Sequence, residues 1–168
     1  EAPDFSLPNE TYWMHVDALL AYAESQGVLC FMFPAYAGYA GGSQGWMQEM
    51  VANASTKMQA YGAFIATRYK TRGNIVWMLG GDYGTGVNNF TQSQLEVEKA
   101  MLAGMQSVLA GLLGTHFSAE WNGPSIYTDQ VDATLLAAGT LQGAYSWQGD
   151  VNTYARNGYS YSRTLPTF

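Results

Sequence analysis

The residue with the clearest chemical meaning is Asp82, which follows two glycines in the sequence Gly80-Gly81-Asp82. The preceding run, residues 74–79, is largely apolar and is predicted to be a buried strand. The Asp82 carboxylate would therefore lie just past the end of a strand of the sheet. Glycines beside it would let a substrate approach the backbone. A carboxylate in this position can act as general acid/base in the hydrolysis of a glycosidic bond. It can instead cap the next turn and hold the glycines in place.

A second carboxylate, Glu120, stands beside Trp121 after another predicted strand, residues 115–119. It could bind sugar hydroxyls, take part in the chemistry, or be a solvated loop acid. His116, at the start of that strand, could point into a barrel. The histidines form no HxxxH or HExxH pattern and Cys30 is the single cysteine, so neither a zinc site nor any other metal or cofactor is predicted.

Aromatic residues are abundant, and several of them follow predicted strands. The chain has 12 Tyr, 5 Trp and 19 Gly. Flat apolar rings beside a few polar groups are typical of ligand-binding clefts and suit the apolar faces of sugars, although each ring taken singly also fits ordinary loop packing. We therefore predict a set of substrate-binding side chains after the strands: Tyr36, Tyr83, His116, Glu120, Trp121, Trp147 and Gln148.

Alternating helix and strand patterns must position these residues. Apolar residues spaced by three and four predict helices, and short continuous apolar runs predict buried strands. Gly27 is predicted to end the first helix, and Thr91 with Gln94 to form a capping box at the start of the third. The predicted helices are residues 10–25, 46–69, 92–113 and 127–137, and the predicted strands are residues 28–33, 74–79, 115–119 and 141–145.

This order of elements predicts parallel βαβ units with right-handed crossovers. Both a doubly wound sheet and a (β/α)8 barrel fit it. Acidic residues after three strands (Asp82, Glu120 and Asp150), without a GxGxxG or GxxxxGK[ST] pattern, favour a barrel hydrolase over a nucleotide-binding protein. Four strands are half of such a barrel, which needs eight strands and at least about 200 residues. Residues 1–168 are therefore predicted to be a partial catalytic (β/α) barrel domain.

Composition and charge exclude several classes of protein. Apolar residues make up 48% of the chain and charged residues 12%, so it can bury a core and is not predicted to be disordered. The net charge of −6 argues against a nucleic-acid partner. No run of 18 apolar residues predicts a membrane span. The first residues show no signal-peptide pattern, and they do not indicate a localisation.

Several short patterns between Tyr12 and Asp82 belong together. They are Val16-Asp17 and Leu19 in the first helix, Gln26-Gly27-Val28 at the entry to a strand, Asn53, Ala60-Tyr61, Arg68-Tyr69 and the run from Asn74 to Asp82. Together they resemble the apiosidase-like glycoside hydrolases, and the resemblance is most specific from Arg68 to Asp82. The tail from Leu165 to Phe168 resembles the entry to the seventh barrel strand of that family.

The resemblance implies a (β/α)8 barrel in which this chain covers about strands three to six. It also implies a retaining-type glycoside hydrolase that acts on a plant or microbial polysaccharide, and a secreted or periplasmic location. Asp82 matches the acid/base at the end of strand four, and the nucleophilic glutamate of strand seven is expected beyond Phe168. His116-Phe117 stands where a His-Pro pair is typical of the family, which leaves the substrate open.

Two alternatives fit the same sequence. The chain could be a non-catalytic sugar-binding or self-assembling α/β module, because an incomplete barrel has open sheet edges that can pair with another copy. It could also be a doubly wound α/β protein of unrelated function, in which case helices should cover both faces of the sheet.

Overall fold

Helices and strands alternate along the chain as the sequence predicts. The computed structural model describes residues 3–83, 90–110, 116–121, 133–141 and 156, with the backbone alone for residues 40, 82, 83, 116–121, 133 and 136. The elements are α1 (Glu10–Ser25), β1 (Cys30–Met32), a short 3-10 helix (Tyr39–Gly41), α2 (Met47–Tyr69), β2 (Ile75–Tyr83), α3 (Gln92–Leu109), β3 (His116–Trp121) and α4 (Ala133–Ala138).

Both ends of α1 are fixed by local hydrogen bonds, and its predicted bounds are confirmed. The Asn9 side chain accepts from the Tyr12 N–H at 3.3 Å, which satisfies one of the free amides of the first turn. At the other end Gly27, with a φ of 70°, donates to the Glu24 carbonyl, and the Val28 N–H donates to the Ala23 carbonyl at 2.9 Å. This pair of bonds is a Schellman motif, which turns the chain toward β1.

The three strands form a parallel sheet in the order β1-β2-β3. Each strand lies beside the next one in the chain, with α2 and α3 as the crossovers. The described sheet therefore has no reversal of strand order, which a doubly wound sheet has at its switch point. A barrel wall is built from consecutive strands in this way. The predicted fourth strand, residues 141–145, lies outside the described residues except for Leu141, which is not in a strand.

The first three helices pack against one another in series. Trp13 of α1 contacts the rings of Phe64 and Tyr69 on α2, with ring centres 5.8 and 6.2 Å apart. α2 in turn contacts α3 along its length. Helices linked side by side lie on one face of the sheet, as in the outer ring of a barrel, whereas a doubly wound protein has helices on both faces.

The core lies between these helices and β2, and it is rich in methionine. Met47, Met50, Met58, Met101 and Met105 are fully buried. From β2, Ile75, Trp77 and Leu79 join this helix-side core, while Val76 and Met78 are buried outside it. Because strand residues alternate between faces, β2 is covered on both sides, which is the expectation for a central strand of a parallel sheet.

The remaining helices differ from prediction mainly at their ends. The capping box of α3 is confirmed, with the Gln94 side chain accepting from the Thr91 N–H at 2.7 Å, but the helix ends at Leu109 rather than 113. α4 spans Ala133–Ala138, and residues 127–132 of the predicted helix lie outside the described residues. Within α2, Ala54 has a φ of 59° and interrupts the helix. In the described ranges, no helix combines the length and apolarity that crossing a bilayer requires.

Two glycines let α2 and α3 approach closely, and they provide a test of the packing. A Cβ added at Gly62 would lie 2.0 Å from the Met101 carbonyl oxygen, and one added at Gly104 would lie 2.0 Å from the Gln59 carbonyl oxygen. Gly62→Ala and Gly104→Ala should each lower the free energy of unfolding by about 1–3 kcal/mol, because overpacking outweighs the better helix propensity of alanine.

Urea denaturation of the purified protein measures this effect. Gly73→Ala is the matched control, because nothing lies within 4 Å of a Cβ at Gly73 and its φ is not positive. It should leave stability unchanged or raise it slightly. If all three variants unfold at the same urea concentration as the parent, the close contact between α2 and α3 is wrong.

Candidate active site

Four of the predicted site residues lie in the last residues of two neighbouring strands. The sequence places Asp82, Tyr83, Glu120 and Trp121 on loops, and this part of the prediction is wrong. β2 continues to Tyr83 and β3 to Trp121, because their backbones go on pairing, with Gly80 opposite Glu120 and Tyr83 opposite Trp121. The pairing brings the backbones of all four residues to one edge of the sheet, where the carboxyl ends of parallel strands meet.

The strand end is irregular around Asp82. Gly80 has a φ of 78°, a conformation that favours glycine, and the register between β2 and β3 shifts between Gly80 and Tyr83. Such bulges bend a strand and change the direction in which the following residues leave the sheet. The backbone conformation therefore requires a glycine at position 80, which explains Gly80 without excluding a catalytic role for Asp82.

The loop after β1 packs directly on this strand end. The Ala37 N–H donates to the Gly80 carbonyl at 2.9 Å. A Cβ added at Gly81 would lie 2.7 Å from the Gly38 nitrogen and 3.2 Å from the Tyr36 ring. Tyr36, which is half-buried, thus lies beside the residue that precedes Asp82. The structure brings Tyr36 to the predicted site, and its role in substrate binding stays a prediction.

His116 is not brought to this edge. The register pairs His116 with Val76, four residues before the pair of Glu120 with Gly80. At about 3.3 Å per residue, this separates the His116 backbone from that of Glu120 by roughly 13 Å. His116 lies at the opposite end of β3, which disfavours its predicted contact with substrate. Trp147 and Gln148 lie outside the described residues.

A cavity of about 340 Å³ opens beside the loop after β1. Its walls come from residues 3–5 and 7–9, from Tyr12 at the start of α1, from Pro34 and Ala35, and from Trp46 and Tyr61. Pro34 and Ala35 directly precede Tyr36. Since Tyr36 contacts the strand end, the cavity lies at the same edge of the sheet as Asp82.

Aromatic rings form much of the cavity wall. Phe5 packs edge-on against Tyr61 and Trp46, with ring centres 4.8 and 6.3 Å apart. The buried Tyr61 hydroxyl donates to the Pro34 carbonyl at 2.7 Å, and burial raises the pKa of this hydroxyl well above its ordinary value. Trp46 and Tyr12 remain 49% and 58% exposed. Two accessible rings beside a polar rim can stack on an apolar sugar face.

The N-terminal segment of the cavity is tied to α2. The Asn53 side chain accepts from the Phe5 N–H at 3.0 Å and donates to the Pro3 carbonyl at 2.8 Å. Asp4 accepts from Lys57 at 2.6 Å, and this bond together with the Ser6 bonds lowers the pKa of Asp4 to about 2. Asp4 is therefore ionised at neutral pH and is unsuited to donate a proton, unlike a general acid.

Trp46 is a site candidate that the sequence does not predict. Its spacing with Met50 suggests a residue on the apolar face of the second helix. In the structure it is the cap residue just before α2, and its ring is half exposed in the cavity. A sequence signal for this was available: Trp46 directly follows Gly45, before the first helical turn. A residue before the first turn does not belong to the apolar face of the helix.

Glu98 is a second residue that the sequence does not predict. It lies on α3 at 1% exposure, and neither carboxyl oxygen has a hydrogen-bond partner among the described residues. Burial raises the pKa of Glu98 to about 8, and the Gly80 backbone N–H acts in the opposite direction. Spacing could have shown its burial, because Glu98 is three residues after Leu95 and four before Leu102, both on the predicted apolar face.

Arg68 and Arg72, near the end of α2, are both paired with carboxylates of α1. Arg68 makes two hydrogen bonds to Asp17, at 2.6 and 2.9 Å, and two to Glu10, at 2.7 and 2.9 Å. Arg72 pairs with Glu24 at 2.8 Å. The Arg68 guanidinium lowers the pKa of Asp17. These cations fasten α1 to α2, so they do not form an anion-binding surface.

The described residues contain no group of three histidine, cysteine, aspartate or glutamate side chains that could hold a metal ion. Within this part of the chain, the chemistry at the sheet edge is that of carboxylates, backbone amides and aromatic rings.

One protein family matches the whole chain. The family described as "Apiosidase-like, catalytic domain" matches residues 1–168. None of the curated proteins matches the chain significantly.

Solved structures show the same fold. A glycoside hydrolase family 5 protein from Bacteroides vulgatus ATCC 8482 superposes with a TM-score of 0.65 at 21% identity, covering 93% of this chain and 32% of that one. A protein described as "Glycoside hydrolase" gives a TM-score of 0.65 at 15% identity, covering 93% of this chain and 35% of that one. Family 5 glycoside hydrolases fold as (β/α)8 barrels. The chain spans about a third of the length of these structures.

Proposed function

The chain belongs to the apiosidase-like catalytic-domain family, and from this we propose that it supplies the central part, about strands three to six, of a (β/α)8 glycoside hydrolase barrel. The consecutive order of β1, β2 and β3 supports this proposal. So does the packing of α1, α2 and α3 in series on one face. In such barrels the catalytic groups lie at the carboxyl ends of the strands.

The observation that carries the proposed activity is the position of Asp82 near the carboxyl end of β2, within the irregular stretch between Gly80 and Tyr83. We propose a retaining-type mechanism with Asp82 as acid/base and a nucleophilic glutamate outside these 168 residues. Asp82 protonates the glycosidic oxygen while the glutamate attacks the anomeric carbon. Asp82, now a carboxylate, then takes a proton from the water that hydrolyses the glycosyl-enzyme.

The substrate is a plant or microbial polysaccharide, and the family name points to apiose linkages such as those in pectin. Residues at the strand ends hold the sugar beside Asp82: Tyr36, Tyr83, Glu120 and Trp121, with Trp147 and Gln148 as further candidates from the sequence. The cavity between Tyr12, Trp46 and Tyr61 takes a neighbouring sugar unit of the same chain.

Trp46 provides a test of the cavity. Trp46→Ala should raise KM for the polysaccharide about tenfold, because it removes a stacking contact worth about 1.5 kcal/mol, and it should leave kcat nearly unchanged. Steady-state kinetics on soluble polysaccharide measure both constants. Tyr22→Ala is the matched control: Tyr22 is also exposed, but it lies about 15 Å along α1 from Tyr12 and outside the cavity. Equal KM values for Trp46→Ala and the parent would show that the cavity does not bind the polysaccharide.

The activity itself is tested with the purified complete protein, which includes the nucleophilic glutamate, on pectin and on a panel of plant and microbial polysaccharides. We expect release of new reducing ends from at least one of them. Binding to a polysaccharide without hydrolysis by the complete protein would favour the non-catalytic alternative.

That alternative rests on the open side of the sheet. Among the described strands β1 pairs only with β2, and the side chains of Phe31 on β1 and of Val28 and Leu29 just before it are half exposed. An exposed apolar edge strand can pair with a second copy. A self-assembling module should form a dimer or larger species in size-exclusion chromatography with light scattering, whereas the barrel proposal expects the complete protein to cover this edge and remain a monomer.

A further inference from the structure

Glu98 is a buried acid for which the proposed mechanism has no use. Its side chain enters the core from α3 among residues such as Met101 and Leu102, which are fully buried. Both of its carboxyl oxygens are buried without a hydrogen-bond partner among the described residues. Burying a polar group without a partner costs free energy, and a leucine would fill this position more favourably. The acid therefore needs an explanation other than core stability.

The group that the Glu98 carboxyl faces is the backbone of Gly80. The Gly80 N–H acts on this carboxyl group and favours its charged form, although the contact falls short of a full hydrogen bond. On its other side the same residue accepts a hydrogen bond from the Ala37 N–H at 2.9 Å. Gly80, which has a positive φ and precedes Gly81 and Asp82, thus lies between the loop after β1 and the side chain of Glu98.

We propose that Glu98 is a positioning residue whose carboxyl group supports the Gly80–Gly81 backbone and so fixes the position of the Asp82 backbone within β2. This inference rests on the proposed function of Asp82. Glu98 is not a catalytic residue, because it lies in the core behind the strand and acts through the backbone. Its carboxyl group is a polar neighbour of the backbone at a point where the regular ladder of strand hydrogen bonds is interrupted.

No charged group in the described part of the chain balances Glu98. The other ionisable residues of the packed elements are Glu96 and Lys99 on α3, Glu49, Lys57, Tyr61, Arg68 and Tyr69 on α2, and Asp82 and Tyr83 on β2. The pKa of Glu98 responds to burial and to the Gly80 N–H alone. Burial therefore keeps Glu98 protonated at neutral pH, so that it meets the strand end as a neutral group.

The test compares Glu98→Leu with Glu98→Gln in the complete protein. Glu98→Leu should fold at least as stably as the parent, lower kcat about 10- to 100-fold with little change in KM, and shift the pH profile of kcat because Asp82 is misplaced. Glu98→Gln keeps a polar group of the same shape and should stay within about threefold of the parent. Met101→Leu is the matched control for repacking on the same helix and should retain full activity.

A second measurement does not depend on activity. Amide hydrogen exchange at Gly80 and Gly81 should be at least about tenfold faster in Glu98→Leu, while exchange at Val76, at the start of the same strand, should not change. Faster exchange in a protein without glycosidase activity would refute the proposed function and leave the positioning role intact. Unchanged exchange at Gly80 and Gly81, or parental kcat and pH profile in Glu98→Leu, would overturn the positioning role.

Discussion

Asp82→Asn is expected to lower kcat on the polysaccharide by about 10²–10⁴-fold, the range by which general acid–base catalysis accelerates such reactions. Asparagine has nearly the same shape as aspartate but can neither donate the proton to the glycosidic oxygen nor take one from water. The residue lies in the irregular stretch between Gly80 and Tyr83, at the edge where the strand ends meet. A neutral isostere at this position should leave the fold and its thermal stability essentially unchanged.

The measurement is kcat on the polysaccharide together with a thermal melt of the same sample. Glu120→Gln is the matched control, because Glu120 pairs with Gly80 on the neighbouring strand and is proposed to bind sugar rather than to transfer protons. It should act mainly on KM. Parental activity in Asp82→Asn would reduce Asp82 to a structural role, and a severe loss of kcat in Glu120→Gln would transfer the proton-transfer role to Glu120.

The second large effect concerns the pH dependence of stability through Glu98. Its pKa is raised from 4.5 to about 8 in the folded protein. Between these two pH values the unfolded chain loses the Glu98 proton while the folded chain keeps it. The free energy of unfolding should therefore fall as the pH rises from about 4.5 to about 8, by up to about 5 kcal/mol at the limit set by the two pKa values.

Urea denaturation at several pH values across this window measures the slope. Glu98→Gln cannot ionise, so its free energy of unfolding should vary much less between about pH 5 and pH 8. Glu96→Gln is the control, because Glu96 lies on the same helix but is exposed, and its slope should match that of the parent. Parallel slopes for the parent and Glu98→Gln would show that Glu98 ionises freely in the folded protein.

The elements that local signals specify were predictable from the sequence. Asn9 and Gly27 fix α1 through bonds to residues three to five positions away, and its bounds agree with prediction. The same holds for Thr91 and Gln94 at the start of α3. The membership in the apiosidase-like family, which the run from Asn74 to Asp82 indicates, is confirmed by the match over residues 1–168.

The features that depend on distant partners were not predictable. β2 extends through Asp82 because β3, some 40 residues later, pairs with it, and no local pattern shows this. The cavity depends on Asn53 binding Phe5 and Pro3 across about 50 residues of chain. His116 is placed at the far end of β3 by register alone. Glu98 is a further example: the periodicity of α3 indicates that Glu98 lies on the buried face of the helix, but it does not indicate that Gly80 lies opposite.

The most direct test of the account compares two aryl glycosides of the sugar that the protein hydrolyses, one with a dinitrophenyl and one with a phenyl leaving group. Dinitrophenolate leaves without protonation, whereas phenolate needs a general acid. With Asp82 as the acid, Asp82→Ala should cleave the dinitrophenyl glycoside to its glycosyl-enzyme at nearly the parental rate and lose about 10² or more on the phenyl glycoside. An equal loss on both glycosides, or no loss on either, would contradict the assignment of Asp82.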